Sequence, residues 1–204
     1  MAEPAEELRY TYADYLNWPE GDRIELIDGV PYMLATPLRE HQEISGELFA
    51  QIYQYLRGKP CKVYAAPFSV KLYEEEGDRP EEVDTVLEPD ITVVCDPEKL
   101  DKYGCHGAPD WVIEILSPSN RRHDLFVKYR LYEKAGVREY WVVDPAFRSV
   151  QVFALENGRF TAKAYQAGPG LIPSVVFPEL EIDSGAFFQA EPVEEPRKPV
   201  PFRD

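Results

Sequence analysis

Positive charge, cysteine pairs and long apolar runs are scarce in this 204-residue sequence, and each shortage disfavours a class of protein. Lysine and arginine number 22 against 37 acidic residues, and the net charge of -15 disfavours a protein that coats nucleic acid by charge alone. No apolar run approaches the roughly 18 residues of a membrane span, so we expect no membrane partner. The initial MAEPAEE lacks the basic and then apolar order of a signal peptide, and we expect a cytoplasmic protein.

The cysteine spacing and the absence of common enzyme motifs disfavour further classes of protein. Cys61, Cys95 and Cys105 have no CxxC spacing, which predicts reduced thiols rather than a disulfide framework. The motifs of phosphate-binding loops, dinucleotide-binding sites, zinc proteases and serine hydrolases are absent from the sequence. The remaining candidates for a functional site are charged residues that lie in otherwise apolar segments.

The length and the 44% hydrophobic content fit one domain with a substantial core. We expect a flexible arm at residues 1–9, a single domain at residues 10–185 and a proline-rich acidic tail at residues 186–204. Within the domain, apolar residues at helical spacing predict a helix over about residues 38–57.

Short apolar runs separated by turn residues predict the strands. Asp28-Gly29 supplies the tight turn of a first hairpin, and Pro31 favours an edge position for its second arm. Further strands are predicted at 61–66, 68–73, 90–95, 111–116, 139–144, 149–155 and 160–165. Together with the helices, they indicate an α/β sandwich with a mixed sheet.

Lys128 is the most informative residue of the sequence because its charge lies where an apolar side chain belongs. Read as a helix at about 100° per residue, residues 124–135 place Lys128 in the middle of the apolar side, one turn after Asp124. A buried ammonium must meet a carboxylate or a ligand. Glu114 is the complementary oddity, a carboxylate within the preceding apolar strand. Two misplaced opposite charges on adjacent elements indicate one site.

Two carboxylates can converge beside this lysine. Asp90 opens one predicted strand and Glu114 lies within the next. Together with the carbonyl of Ile115, they form the kind of oxygen set that binds Mg²⁺ or Mn²⁺. Such a metal would activate water and neutralise charge on a phosphate, and Lys128 would hold the attacking water or the phosphate.

These residues resemble the PD-(D/E)XK nuclease superfamily and, within it, the Uma-type family of restriction-endonuclease-like proteins. The motifs that carry the resemblance span about residues 10–185 and include Ile24-Glu-Leu-Ile-Asp-Gly, His41, Pro89-Asp90, Val112-Ile-Glu-Ile-Leu-Ser-Pro-Ser, Asp124, Lys128 and Gly136-Val-Arg-Glu-Tyr-Trp-Val-Val-Asp-Pro. The resemblance implies a restriction-endonuclease-like α/β sandwich whose central mixed sheet is flanked by helices. It also implies that Asp90, Glu114 and Lys128 are catalytic.

The sequence departs from the superfamily pattern at one position. The lysine expected two residues after Glu114 is Leu116 here, and the resemblance implies that it has moved to the following helix as Lys128. Glu25 and His41 would be auxiliary site residues. For Glu25 a surface salt bridge is the competing interpretation, and for His41 a neutral structural histidine.

The resemblance implies a Mg²⁺- or Mn²⁺-dependent endonuclease that cleaves DNA as a homodimer. The basic group Arg121-Arg122-His123 would then form a local rim for the phosphate backbone. Two other functions stay open. The net charge and Leu116 favour a catalytically inert binding or assembly module, and hydrolysis of a small nucleotide would avoid the charge repulsion of a polynucleotide.

Overall fold

The computed structural model describes residues 8–19, 23–75, 77–117 and 124–188, and only the backbone of Asp124. Its helices are α1 (Tyr12–Tyr15), α2 (Arg39–Leu56) and α3 (Tyr129–Ala135), the last preceded by a π-helical turn at Asp124–Lys128. Its strands are β1 (Ile24–Ile27), β2 (Val30–Met33), β3 (Lys62–Ala65), β4 (Ser69–Lys71), β5 (Val86–Leu87), β6 (Ile91–Val94), β7 (Gly104–His106), β8 (Trp111–Ile115), β9 (Glu139–Asp144), β10 (Ser149–Glu156), β11 (Arg159–Ala167), β12 (Leu171–Pro173) and β13 (Glu181–Asp183).

A six-stranded mixed sheet forms the centre of the domain, in the order β11-β10-β9-β8-β6-β3. Its strands pair antiparallel except β8 and β9, which run parallel. Every residue of β8 and β9 is buried, as expected for strands with near-continuous apolar sequence. The predicted α/β sandwich with a mixed sheet is confirmed.

The two faces of this sheet pack against different partners. Helix α2 and the β12–β13 hairpin cover one face, where Ile113 and Ile115 of β8 join the apolar stripe of α2. Val112 and Leu116 belong to the cluster on the opposite face, which contains Tyr132 of α3. Side chains alternate along a strand, so Glu114 lies on this second face, toward α3.

A five-stranded sheet, ordered β2-β1-β5-β4-β7, packs against that second face together with α3. The predicted β1–β2 hairpin is confirmed, and Asp28 and Gly29 adopt the positive φ angles of 47° and 76° that its turn requires. Strand β2 lies at the sheet edge, where Pro31 removes no ladder hydrogen bond. The short strands β5 and β7 were not predicted, because two or three residues carry no measurable periodicity.

The prediction of three reduced cysteines is wrong. Cys61 and Cys95 form a disulfide, and Cys105 is a buried free thiol. The antiparallel pairing of β3 with β6 places Lys62 opposite Val94, so Cys61, directly before Lys62, faces Cys95, directly after Val94. This register depends on tertiary pairing across 34 residues, which cysteine spacing cannot show.

Glu139, at the start of β9, fastens the C-terminal part of the domain to the central sheet. Its buried carboxylate accepts hydrogen bonds from the Ser174 hydroxyl, the backbone N–H groups of Val175 and Val176, and the Trp141 indole. These contacts hold the segment between β12 and β13 against the sheet. In the described residues, every helix is too short or too polar to cross a membrane.

Candidate active site

Lys128 lies at the end of the π turn and projects into the protein, where only 3% of its surface is exposed. Its Nζ atom is 2.8 Å from Glu25 Oε1 and 3.0 Å from Glu114 Oε1. Glu25 belongs to β1 of the five-stranded sheet and Glu114 to β8 of the six-stranded sheet. The ammonium therefore links one carboxylate from each sheet. The side chain of Asp124, its predicted partner, lies outside the described residues.

The π turn is a departure from the regular helix expected over residues 124–135. A π turn contains one more residue than an α turn and is frequent at functional sites. Here it ends at the point where the helix sends a charged side chain inward, while Phe126 and Val127 stay exposed. From Tyr129 onward the helix is regular, and the predicted apolar side faces the core.

Tyr132 is a site residue that the sequence analysis missed. Its hydroxyl donates a 2.6 Å hydrogen bond to Glu114 Oε1, the same oxygen that Lys128 contacts. Burial raises the pKa of Tyr132 well above its usual value, and the charges of Glu114 and Glu25 add to that effect. The hydroxyl is therefore a permanent donor that orients Glu114. Tyr132 lies four residues after Lys128, about one helical turn, and this spacing was the available sequence signal of its contact with the site. An aromatic residue on an apolar helix face, however, usually contributes only to core packing.

Asp90 precedes β6 and lies next to His41, in the first turn of α2. Asp90 Oδ2 accepts a 2.8 Å hydrogen bond from the Ile115 N–H and lies 3.2 Å from His41 Nε2. Burial lowers the pKa of His41, but the hydrogen bond to Asp90 and its negative charge outweigh burial, so the net shift is upward. Both contacts use Oδ2, and Oδ1 of Asp90 has no hydrogen bond within the described residues.

Glu25 is fully buried, which excludes a surface salt bridge as its role. Its Oε1 atom contacts Lys128 and accepts a 3.0 Å hydrogen bond from the backbone N–H of Glu88. Its Oε2 atom is buried without any hydrogen-bond partner among the described residues. A buried carboxylate oxygen without a partner is costly unless a ligand satisfies it.

Asp90, His41, Glu114 and Lys128 line one cavity of about 280 Å³, and Glu25 and Tyr132 contact this lining from outside it. The charged and titratable groups in its lining are Arg23, His41, Glu88, Asp90, Glu114 and Lys128. Carboxylates thus outnumber lysine and arginine side chains, and Glu25 adds a further carboxylate behind Lys128. An anionic substrate would be repelled by this lining unless a cation shared the cavity.

Ser117 also lines the cavity, whereas Ser119 and the basic group at residues 121–123 lie outside the described residues. Arg23 and Glu88 are further lining residues that the sequence analysis did not identify. Arg23 directly precedes β1 and follows the polar sequence Glu20-Gly-Asp, where an arginine is ordinarily a solvated surface residue.

The donor set fits a hard divalent cation. Within the described residues no three acidic, histidine or cysteine side chains converge as a metal cluster on their own. Mg²⁺ and Mn²⁺, however, are commonly held by one or two carboxylates completed by a carbonyl, waters and substrate oxygens. Asp90, Glu114 and Ile115 line the same cavity, and the excess of carboxylates there favours a cation. The unpartnered oxygen of Glu25 points to the same need for positive charge.

Two known proteins are similar to this chain over most of its length. The uncharacterized protein slr1290 of Synechocystis sp. is 25% identical over 162 residues, which cover 78% of this chain and 81% of that protein. A solved structure described as a putative nuclease belonging to DUF820, from Anabaena variabilis, superposes with a TM-score of 0.66. It is 22% identical, and the match covers 87% of this chain and 97% of that one, so the two share a fold.

The family model described as "Uma2: Putative restriction endonuclease" matches residues 12–185, most of the chain. The match contains every described residue that lines the cavity, from Arg23 to Lys128. The resemblance inferred from the sequence motifs is confirmed. This chain belongs to the Uma2 family.

Proposed function

We propose that this protein is a Mg²⁺- or Mn²⁺-dependent endonuclease that hydrolyses phosphodiester bonds in DNA. The observation that carries the proposal is the meeting of Lys128 with Glu114 in a cavity that Asp90 also lines. Carboxylates and a lysine around one cavity are groups suited to metal-dependent phosphodiester hydrolysis, in which carboxylates bind the metal and a lysine stabilises negative charge. Membership of a family described as putative restriction endonucleases supports the same reaction.

Hydrolysis adds a water oxygen to phosphorus and breaks one P–O ester bond, so the water loses a proton and the leaving oxygen gains one. Asp90, Glu114 and the carbonyl of Ile115 would hold the metal. A bound Mg²⁺ or Mn²⁺ would lower the pKa of the water and offset the charge that develops on the phosphate. Lys128 places a positive charge at the cavity wall, where it stabilises the same developing charge.

The surrounding residues keep these groups in position. Glu25 holds the Lys128 ammonium from behind, and Tyr132 fixes the orientation of Glu114. The Ile115 N–H and His41 both hold Oδ2 of Asp90. Support of this kind keeps reacting groups within the narrow tolerance that efficient hydrolysis needs.

The test is cleavage of plasmid and linear DNA by the purified protein in Mg²⁺ or Mn²⁺. We expect metal-dependent cleavage that Lys128→Ala and Asp90→Asn each reduce by roughly a hundredfold or more. Asp90→Asn keeps the side-chain shape, so it separates chemistry from folding. The matched control is Lys134→Ala, which removes a lysine from the same helix outside the cavity. Intact DNA under all metal conditions would contradict the proposal.

Hydrolysis of a small nucleotide is the competing function, and the net charge of -15 favours it because a polynucleotide is repelled more strongly than a nucleotide. Cleavage of nucleotides with no cleavage of DNA or RNA would select it. An inert binding module predicts neither activity, together with no Mn²⁺ binding that depends on Asp90 and Glu114. The homodimer stays a prediction that sedimentation analysis can test.

A further inference from the structure

A phosphate bound in the cavity would need a positive group in addition to Lys128. Lys128 is held between two carboxylates, at 2.8 and 3.0 Å from its Nζ atom, so much of its charge is already matched. His41 lies against Asp90 in the same way. Arg23 is the remaining cationic residue among the described residues of the lining.

Arg23 is fixed at one end and has unused donors at the other. Its Nε atom lies 3.4 Å from Glu88 Oε2, and the Tyr15 hydroxyl holds the other oxygen of Glu88 at 3.2 Å. The backbone carbonyl of Arg23 accepts a 2.8 Å hydrogen bond from the Leu34 N–H. Within the described residues, the terminal guanidinium nitrogens of Arg23 make no hydrogen bond or ion pair.

The exposure of Arg23 agrees with a ligand-binding role. Its side chain is 29% exposed, whereas that of Glu88 is 8% exposed. The anchoring carboxylate is therefore buried, whereas the Arg23 side chain is partly exposed and belongs to the lining of the cavity. A planar guanidinium presents paired N–H donors that match two oxygens of one phosphate.

We propose that Arg23 is the phosphate-binding residue of the cavity and holds a phosphate of the substrate beside Asp90 and Glu114. This inference rests on the proposed function, since it assigns a partner for the substrate of that same site. The chemistry recognised is the phosphate oxyanion, whether it belongs to a polynucleotide backbone or to a free nucleotide. Glu88 and Tyr15 act as positioning residues, because they set the direction of the guanidinium.

The experiment measures ligand binding separately from cleavage. Inorganic phosphate, thymidine 5′-monophosphate and a labelled DNA oligonucleotide are titrated into the wild type, Arg23→Ala and Arg23→Lys in the presence of Mn²⁺. We expect Arg23→Ala to weaken phosphate binding roughly ten- to a hundredfold, the usual effect of losing charged hydrogen bonds. Arg23→Lys should recover part of the affinity, because it keeps the charge and loses the paired donors.

Arg138→Ala is the matched control, because Arg138 also pairs with a carboxylate, Asp110, at 2.9 Å but lies outside the cavity lining. Mn²⁺ affinity should be no weaker in Arg23→Ala than in this control, because Arg23 is not among the residues proposed to hold the metal and its positive charge opposes a cation. Equal binding by the mononucleotide and the oligonucleotide would identify a single-phosphate contact, and tighter oligonucleotide binding would identify the polynucleotide as the source. Either result supports the inference.

Two results would overturn it: unchanged phosphate affinity in Arg23→Ala, or no phosphate binding by the wild type. The outcome is distinguishable from failure of the proposed function. Phosphate binding that depends on Arg23 without any cleavage would remove the nuclease and leave the phosphate site. Cleavage with an unchanged KM in Arg23→Ala would leave the nuclease and remove the role of Arg23.

Discussion

Lys128 reaches Glu114 from a helix, whereas the superfamily pattern places the lysine at the position of Leu116. Leu116 lies on the same face of the sheet as Glu114 and is buried in the apolar cluster beneath α3. With the lysine on the helix, this strand position is available for core packing. Burial of a leucine side chain contributes about 1.5–3 kcal/mol to stability.

At the scale of single residues, Tyr132 offers a sharp test of how the site is supported. Tyr132→Phe removes only the hydroxyl that donates to Glu114. Because residues that orient metal ligands commonly change metal affinity ten- to a hundredfold, we expect Mn²⁺ binding to weaken about tenfold. Isothermal titration with Mn²⁺ measures this change.

The control is Tyr129→Phe, which removes a hydroxyl on the same helix that bonds the Phe160 carbonyl and makes no contact with Glu114. The free energy of unfolding should fall by about 1–3 kcal/mol at most in both variants, because each loses one hydrogen bond. Equal Mn²⁺ affinity in the two variants would show that Tyr132 only supports packing.

Periodicity explains which site residues could be predicted from the sequence. Lys128 and Glu114 interrupt apolar patterns, and an interrupted pattern is visible without a structure. Arg23 and Glu88 interrupt nothing, because polar residues are expected beside turns. Tyr132 fits the apolar pattern, so the partner of its hydroxyl, 18 residues away, is apparent only in the folded chain.

At the scale of elements, the contact between β4 and β7 depends on a glycine. The strands pair parallel with Ser69 opposite Gly104, and a Cβ atom at position 104 would lie 2.0 Å from the carbonyl oxygen of Ser69. Gly104→Ala must therefore displace a strand. We expect the free energy of unfolding to fall by about 1–3 kcal/mol or more, measured by urea denaturation.

Gly46→Ala is the opposite case and serves as the control. Gly46 lies within α2, and an added Cβ atom there would meet nothing within 4 Å. Alanine in a helix is favoured over glycine by about 0.5–1 kcal/mol, so this variant should be more stable than the wild type. A stable Gly104→Ala protein would mean that β7 can shift away from β4 at little cost.

The length of an element determined whether it could be predicted from the sequence. Long patterns such as α2, β8 and β9 were predicted within a few residues of their observed bounds. The three-residue strands β7, β12 and β13 were missed, because their pairing comes from tertiary contacts rather than local pattern. The π turn was likewise read as ordinary helix, since five residues cannot distinguish the two periods.

At the scale of the whole molecule, the Cys61–Cys95 disulfide joins adjacent strands that are 34 residues apart in the chain. Closing a loop of this length restricts the unfolded chain and stabilises the fold by roughly 3–4 kcal/mol. We expect a reductant to lower the melting temperature of the wild type. The double variant Cys61→Ala, Cys95→Ala should show a low melting temperature that a reductant does not change.

Thiol counting checks the pairing itself. Unreduced protein in denaturant should react with a thiol reagent at one cysteine, Cys105, and reduced protein at all three. Three reactive thiols without reduction would contradict the disulfide. Cys105→Ala should leave no reactive thiol in the unreduced protein.

The contact of Lys128 with one carboxylate from each sheet has a consequence for the molecule as a whole. Positions 25 and 114 are distant in sequence, so their closeness depends on how the two sheets pack. The cavity beside this contact is lined by Arg23, which directly precedes β1, and by Glu114 of β8, so a ligand bound there would contact both sheets at once. Occupancy of the cavity should therefore raise the unfolding temperature of the entire domain, because the free energy of unfolding increases with the logarithm of ligand concentration above the Kd.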